Sequence, residues 1–218
     1  MPRTTTKHLA ALERPNHVTY TLPSSPSSPV VTISIPPNSS WTSGPHWHET
    51  HTEYLRVIQG TAKVALSGHT RIVRPSDGII VIPKFAVHEW SRVDPAGSGG
   101  EVFDAEETLV VEEWTDPTDG LKNVFFRNLN GVILDETQGG KSPPRSEWWL
   151  TLQLWVIFHG LDNWPVVVDG PLWLRWIITH LILRLGVFVG KLWHLQAIYP
   201  EYTPDGLIPG GPKVNKGD

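Results

Sequence analysis

The chain has no cysteine in its 218 residues, which excludes disulfides and thiolate–metal sites alike. That absence suits an intracellular protein. No run of Lys and Arg occurs, and the formal net charge is -4. A surface for nucleic acid or another polyanion is therefore not expected. The opening residues, MPRTTTKHLAALERPNHV, lack the apolar core of a secretory signal, so the cytoplasm is the expected location. No Rossmann glycine pattern appears, so a nicotinamide-binding domain is not expected. There is no internal repeat. The length suits one domain with a real core, or one domain plus a sizeable arm.

Tryptophan is what the chain has in excess, with 11 residues. Five of them (Trp148, Trp149, Trp155, Trp164, Trp173) fall close together, and Trp176 and Trp193 follow. Packing residues are the ordinary reading, since aromatics bury large areas wherever they occur. A wall around an apolar ligand is the sharper one.

Four segments are expected. Residues 1–29 read as an irregular leader, because PSSPSSP (Pro23 to Pro29) suits neither a helix nor a central strand. Residues 30–116 read as a run of short strands: Val30–Ile35, His46–His48, Glu53–Ile58, Ala62–Leu66, Arg71–Val73, Gly78–Ile82, His88–Val93 and Thr108–Trp114. Turn signals at Gln59-Gly60, Ser67-Gly68 and Pro75-Ser76-Asp77-Gly78 separate several of them. Strands so short and so closely spaced argue for an antiparallel sandwich or barrel. Asp94 to Gly100 reads as a surface loop. Residues 117–145 connect, with Leu121–Leu134 either a helix or an irregular cover and Gly139–Arg145 a linker. Residues 146–218 form an apolar arm. Its two stretches, Trp148–Phe158 and Leu172–Val189, read as helices separated by Asp162–Pro171.

The second apolar stretch is long enough to cross a membrane. Arg175, His180 and Arg184 interrupt it, and a charge at mid-bilayer is costly. On a helix, Arg175 and Thr179 fall on one stripe and His180, Arg184 and Lys191 on another, leaving apolar faces between. Packing on the barrel or on a partner chain is favoured over membrane contact, which stays open.

Chemistry concentrates in GPHWHETHTEYLRVIQG, Gly44 to Gly60. His46 and His48 lie two apart and so share one face of a strand. Glu53 opens the next strand, about 5 Å away, and can reach the same point. His88 follows Pro83 on a strand that could also face inward. Three imidazoles and a carboxylate form a ligand set for one divalent ion: Fe, Mn, Ni, Co or Zn. His51 has two readings, a catalytic acid or base beside the metal and a solvated loop histidine. Glu49 reads as solvated, His69 as surface, and His159, His180 and His194 as polar caps on helix faces. Leu55 and Val57 share the face of Glu53, and Trp90 that of His88, so these three are candidate pocket walls. Trp47 alternates outward between the two histidines.

This arrangement resembles the two cupin motifs. The first, G-x5-H-x-H-x3-4-E-x6-G, is met by His46, His48, Glu53 and Gly60; the second, G-x5-P-x-G-x2-H-x3-N, by Pro83 and His88. Ser40 stands at the first motif's opening glycine. Asp77 stands at the second's, with Gly78 one residue late. Phe85 replaces its internal glycine and Arg92 its asparagine. None of these departures removes a ligand. The resemblance covers residues 30 to 115 and implies an all-β jelly-roll barrel, here with a Trp-rich, helical C-terminal arm. It also implies a metal on His46, His48, Glu53 and His88. The layout further resembles small fungal cupin proteins of polyketide pathways, usually described as oxidoreductases. That likeness implies a small aromatic or polyene-like substrate.

A dication held by three neutral imidazoles and one carboxylate keeps a charge of about +1, which favours an enolate, phenolate or carboxylate ligand. Three functions compete. One is a metal-dependent oxidoreductase, with dioxygen as a candidate oxidant and His51 and Glu53 as catalytic candidates. Another is a non-redox isomerase, cyclase or lyase. The third is a cupin that only binds a small ligand. A homodimer is compatible with all three, since cupins often pair through sheet edges.

Overall fold

The computed structural model describes residues 3–15, 17–23, 28–93, 106–137 and 147–208. Eleven strands and three α-helices form among these residues. The strands are β1 (Ala11–Arg14), β2 (Val18–Thr21), β3 (Val31–Ile35), β4 (His46–Trp47), β5 (Thr52–Gln59), β6 (Ala62–Leu66), β7 (His69–Val73), β8 (Ile79–Ile82), β9 (His88–Arg92), β10 (Leu109–Asp116) and β11 (Trp164–Pro165). The helices are α1 (Leu121–Thr137), α2 (Glu147–Gly160) and α3 (Leu172–Leu192).

The strands build two antiparallel sheets. One runs β1-β2-β3-β10-β5-β8, the other β11-β4-β9-β6-β7. Alternation explains which face each strand buries. Val31, Ile33 and Ile35 of β3, Leu109 and Val111 of β10, Leu55 and Val57 of β5, and Ile80 and Ile82 of β8 all point into one core. Ala62 and Val64 of β6 and Trp90 of β9 meet them from the other sheet. Gly60 sits where β5 turns, at φ 78°, and a Cβ there would lie 2.9 Å from the Thr108 carbonyl oxygen. Only glycine fits both demands.

The leader is not irregular throughout. β1 and β2 form a hairpin that extends the first sheet, with Tyr20 opposite Ile33 and Thr21 opposite Thr32. Val18 and Tyr20 alternate with Thr19 and Thr21, and Val18, Tyr20 and Leu12 are buried. The gain from that apolar face outweighs the pull of the nearby proline-rich segment. Residues 24–27 of that segment lie outside the described residues, as do the expected loop at 94–100 and linker at 139–145.

Within the connecting segment, Leu121–Thr137 forms helix α1. Asp119 Oδ1 accepts a hydrogen bond from the Leu121 backbone N–H and caps α1. Residues 122–128 of α1 are all buried, because the helix lies between the barrel and the arm. Arg127 donates to the carbonyls of Leu9 and Pro23, which ties α1 to the leader. The last described segment returns to α1. Asn128 bonds the Thr203 hydroxyl and the Tyr199 backbone N–H, and Tyr202 lies over Gly131.

Both apolar stretches of the arm are helical. Between them β11 pairs with β4 and adds a strand to the second sheet, where a plain connection was expected. Pro165 is tolerated there because β11 is an edge strand. Trp47 therefore does not face solvent. It is 1% exposed, packed with Trp164 and Leu183 beneath α3.

Candidate metal centre

Strand register places two of the four candidate ligands side by side, since His46 of β4 pairs directly with His88 of β9. Glu53 faces them from the other sheet, where it pairs with Ile82 and Thr115. His48 lies just past β4, on the face of His46. One ligand atom from each of His46, His48, Glu53 and His88 lies within 4.8 Å of the other three, and all four residues are buried.

The hydrogen bonds suit a metal ion. Nδ1 of His46 bonds the Gly44 carbonyl at 2.7 Å, that of His48 the Asp162 carbonyl at 2.5 Å, and that of His88 the Ala86 carbonyl at 3.0 Å. A carbonyl only accepts, so each Nδ1 donates a proton and each Nε2 is turned to the shared centre, that of His48 lying 2.8 Å from Glu53 Oε2. His88 Nε2 and Glu53 Oε1 are buried without a hydrogen-bond partner, 3.5 Å apart. Two such atoms facing each other are costly unless a cation lies between them. Burial, with repulsion from the neighbouring imidazoles, holds His46 well below the usual histidine range. Burial likewise lowers His48, against the pull of Glu53. Burial alone would raise the Glu53 carboxyl. The Lys122 ammonium and the His88 and His48 rings overcome this and hold it well below the usual range. Neutral imidazoles and an ionised carboxylate are the forms that bind a metal. The donor set fits a divalent ion such as iron, manganese, nickel, cobalt or zinc.

Lys122 was not anticipated. From α1 its ammonium contacts Glu53 and lies 3.0 Å from Glu113 Oε2. Burial alone would lower it, but Glu113 and Glu53 raise it, so it stays charged. Glu113 also accepts the Trp90 indole N–H at 2.5 Å, and burial beside Glu53 pushes its carboxyl upward. A lysine among Leu121 and Phe125–Phe126 was the available signal, since a charge within an apolar helical stretch is seldom buried without a partner.

His51 is not a solvated loop histidine. It is 5% exposed. Its Nδ1 lies 2.7 Å from Asp162 Oδ2 and its Nε2 3.1 Å from Asp119 Oδ2. Both ring nitrogens are thus held by carboxylates. Asp162 is the hub of this clamp. Its carboxylate also accepts the Glu49 and Thr50 backbone N–H groups, the Thr50 hydroxyl and the Trp164 indole, while its carbonyl orients His48. Asp162 was expected only as the start of a connection. Its φ of 53° lies in the left-handed region, which aspartate tolerates better than most residues. Glu49 is not solvated either, accepting the Trp47 and Trp176 indole N–H groups and lying 3.4 Å from His180. His69 is exposed, as expected.

A cavity of about 350 Å³ opens beside the centre, between the barrel and helices α1 and α2. His46, Glu113 and Lys122 form one part of its wall, and Trp41, Phe126 and Phe158 give aromatic faces elsewhere. Leu55, Val57 and Trp90, the expected pocket walls, are not among its lining residues. They are 0%, 2% and 1% exposed and packed into the core. Trp41 covers Trp90, with ring centroids 5.0 Å apart, and takes the wall position in its place.

Phe85 stands where the second motif has its internal glycine, and the backbone there keeps a φ of 64°. The turn survives because the Phe85 N–H bonds the His48 carbonyl at 2.7 Å and the ring faces solvent.

Two facing antiparallel sheets thus converge three imidazoles and a carboxylate on one point. Residues 31–96 match the family model of the cupin domain, so the chain carries a cupin domain with a helical arm. Over 178 residues, 74% of the chain, it is 27% identical to the oxidoreductase OpS7 of Beauveria bassiana and spans 56% of that protein. It is 28% identical over 180 residues to the probable oxidoreductase virH of Hypocrea virens, covering 79% of this chain and 72% of that one. The chain thus spans little more than half the length of the Beauveria protein. Among solved structures it is similar to the Schizosaccharomyces pombe Cnp3 cupin domain, at 11% identity and TM-score 0.35, over 51% of this chain and 72% of that one.

Proposed function

We propose that the chain is a metal-dependent oxidoreductase acting on a small aromatic or polyketide-like metabolite. The observation that carries this reading is the cavity whose wall includes the candidate ligand His46. A molecule held there sits against the metal centre. The names of the two fungal relatives support the oxidoreductase class. His46, His48, Glu53 and His88 would hold the ion. When bound, the ion supplies Lewis acidity and, if it is iron, manganese or nickel, redox chemistry with dioxygen as candidate oxidant.

The chain's own residues do the rest. Trp41, Phe126 and Phe158 offer apolar faces to a flat ring and exclude water from it. Lys122 places a fixed ammonium in the wall, which favours a phenolate or enolate oxygen on the substrate. Glu113 lines the same wall with a carboxyl raised by burial, so it can hold or release a proton beside that oxygen. This last feature also supports a second reading, a non-redox isomerase, cyclase or lyase.

Metal analysis of untagged protein purified without chelators is the first test, with about one ion per chain expected. Incubation with phenolic and polyketide-derived compounds follows, in an oxygen electrode and anaerobically. Metal-dependent oxygen uptake coupled to product supports the oxidoreductase. Turnover unchanged without oxygen favours the second reading. A compound that binds and is never converted leaves a binding protein.

A further inference from the structure

Helix α3 has two contrasting faces. Its inner face carries Thr179, His180, Leu183, Gly186 and Gly190, all buried. The outer face carries Ile177, Leu181, Leu185, Phe188 and Leu192, spaced four, four, three and four residues apart, which is one helical stripe. These five side chains are 43% to 66% exposed. Trp173 at one end, and Trp193 and Trp148 at the other, are 51% to 64% exposed. The stripe with its flanking tryptophans presents on the order of 1,000 Å² of apolar surface. The largest patch on a monomer is typically about 300–600 Å². A face of this size is large enough to be a docking surface.

The charges indicate the partner. Arg175, Arg184 and Lys191 are the charged residues of α3, and the helix has no Asp or Glu. Arg175 lies 3.8 Å from Asp169. Arg184 and Lys191 are exposed along one edge of the stripe, and neither forms an ion pair among the described residues. In a two-fold pairing of the stripe with a second copy, each α3 would offer these cations no acid. An anionic lipid surface offers phosphate and carboxylate to both. Exposed Trp at each end and basic residues beside an apolar stripe are the features of a helix lying in a membrane interface.

A spanning placement conflicts with the fold. Gly186 and Gly190 bring the α3 backbone close to Trp155 and Val156 of α2. The Thr179 hydroxyl donates to the Pro165 carbonyl at 3.0 Å, and His180 stacks between Trp164 and Trp176 with centroids about 4 Å from each. Trp164 belongs to β11, which pairs with the strand carrying His46. Inserting α3 across a bilayer would tear the second sheet at the metal centre and bury Arg184 in lipid. We infer that α3 docks the folded protein on the surface of an anionic phospholipid membrane, its stripe in the interface and Arg184 and Lys191 among the headgroups.

The test uses the full chain in co-sedimentation with vesicles of phosphatidylcholine alone and with about one-third phosphatidylserine. Binding to the anionic vesicles that weakens with salt is expected. Replacing both cations (Arg184→Gln with Lys191→Gln) should lower that binding by about 10- to 30-fold. Leu185→Glu with Phe188→Glu should abolish it, with circular dichroism and bound metal unchanged because the stripe is remote from the ligands. The inference is overturned if the wild-type protein ignores anionic vesicles, or binds neutral ones equally well. It is also overturned if sedimentation equilibrium shows a dimer that Leu185→Glu converts to monomer, since a second copy then covers the face.

Discussion

Lys122→Met is the most informative single change. In wild type the ammonium is the counter-ion of two buried carboxylates, Glu53 and Glu113, which are 0% and 2% exposed. Methionine fills a similar volume and removes the charge. Breaking a buried ion pair by removing one partner costs about 3–5 kcal/mol, because the other charge stays buried and uncompensated. For a domain of this size each kcal/mol shifts Tm by about 2–4 °C, so a fall of roughly 6–20 °C is expected in chelator. Metal should narrow the gap, because a dication on Glu53 replaces the lost positive charge. Thermal melts of wild type and variant, each with chelator and with excess divalent metal, make the comparison. A variant melting within about 1 °C of wild type in chelator would refute the counter-ion role. An equal gain from metal in both proteins would refute the claim that ion and ammonium neutralise the same carboxylate.

Other outcomes follow from the same structure. His48→Ala and His88→Ala should each lower metal affinity by more than the roughly 10- to 100-fold typical of residues that only orient a ligand, whereas His51→Ala should stay within that range, as read by metal titration. Asp162→Asn should lower stability by about 1.5–3 kcal/mol at pH 5–6. Burial alone would raise Asp162, but hydrogen bonds from His51 and Thr50 depress it, so its contribution exists above the ordinary aspartate range and is lost as pH falls. His51 is raised, chiefly by the hydrogen bond it donates to Asp162, so its contribution is full below the ordinary histidine range and fades as pH rises through the folded value. Denaturant melts across pH should therefore show the largest difference from wild type between about pH 4 and 6.5; a difference constant with pH would contradict the clamp. Phe85→Gly should raise stability by about 1 kcal/mol, since the position keeps a left-handed φ that phenylalanine tolerates poorly; a lower Tm would show that the phenyl ring makes a compensating contact.

The motif pattern carried much of this protein. Strand alternation put His46 and His48 on one face, and the spacing to Glu53 and His88 indicated a four-residue centre, because those relations are local or belong to a recurrent fold. The hairpin of β1 and β2 was missed, although Val18, Thr19, Tyr20 and Thr21 alternate, because the proline-rich segment beside it masked the signal. The site's electrostatics were not legible. Lys122 lies 69 residues from Glu53, and nothing local to either shows that α1 folds back over the barrel mouth. The same holds for Asp162, which is 111 residues from His51 and reaches the ligand loop only because β11 joins the second sheet. Leu55, Val57 and Trp90 had the right parity for a pocket, yet parity assigns a side chain to the interior without saying whether that interior is packed or hollow. The sequence by itself determined most strands of residues 30–116 and the grouping of His46, His48, Glu53 and His88, because period-two alternation and fixed spacing are properties of a single chain segment. Only the tertiary structure decided which buried charges meet, where the cavity lies and which face of α3 stays uncovered, because each depends on how segments distant in the chain pack against one another.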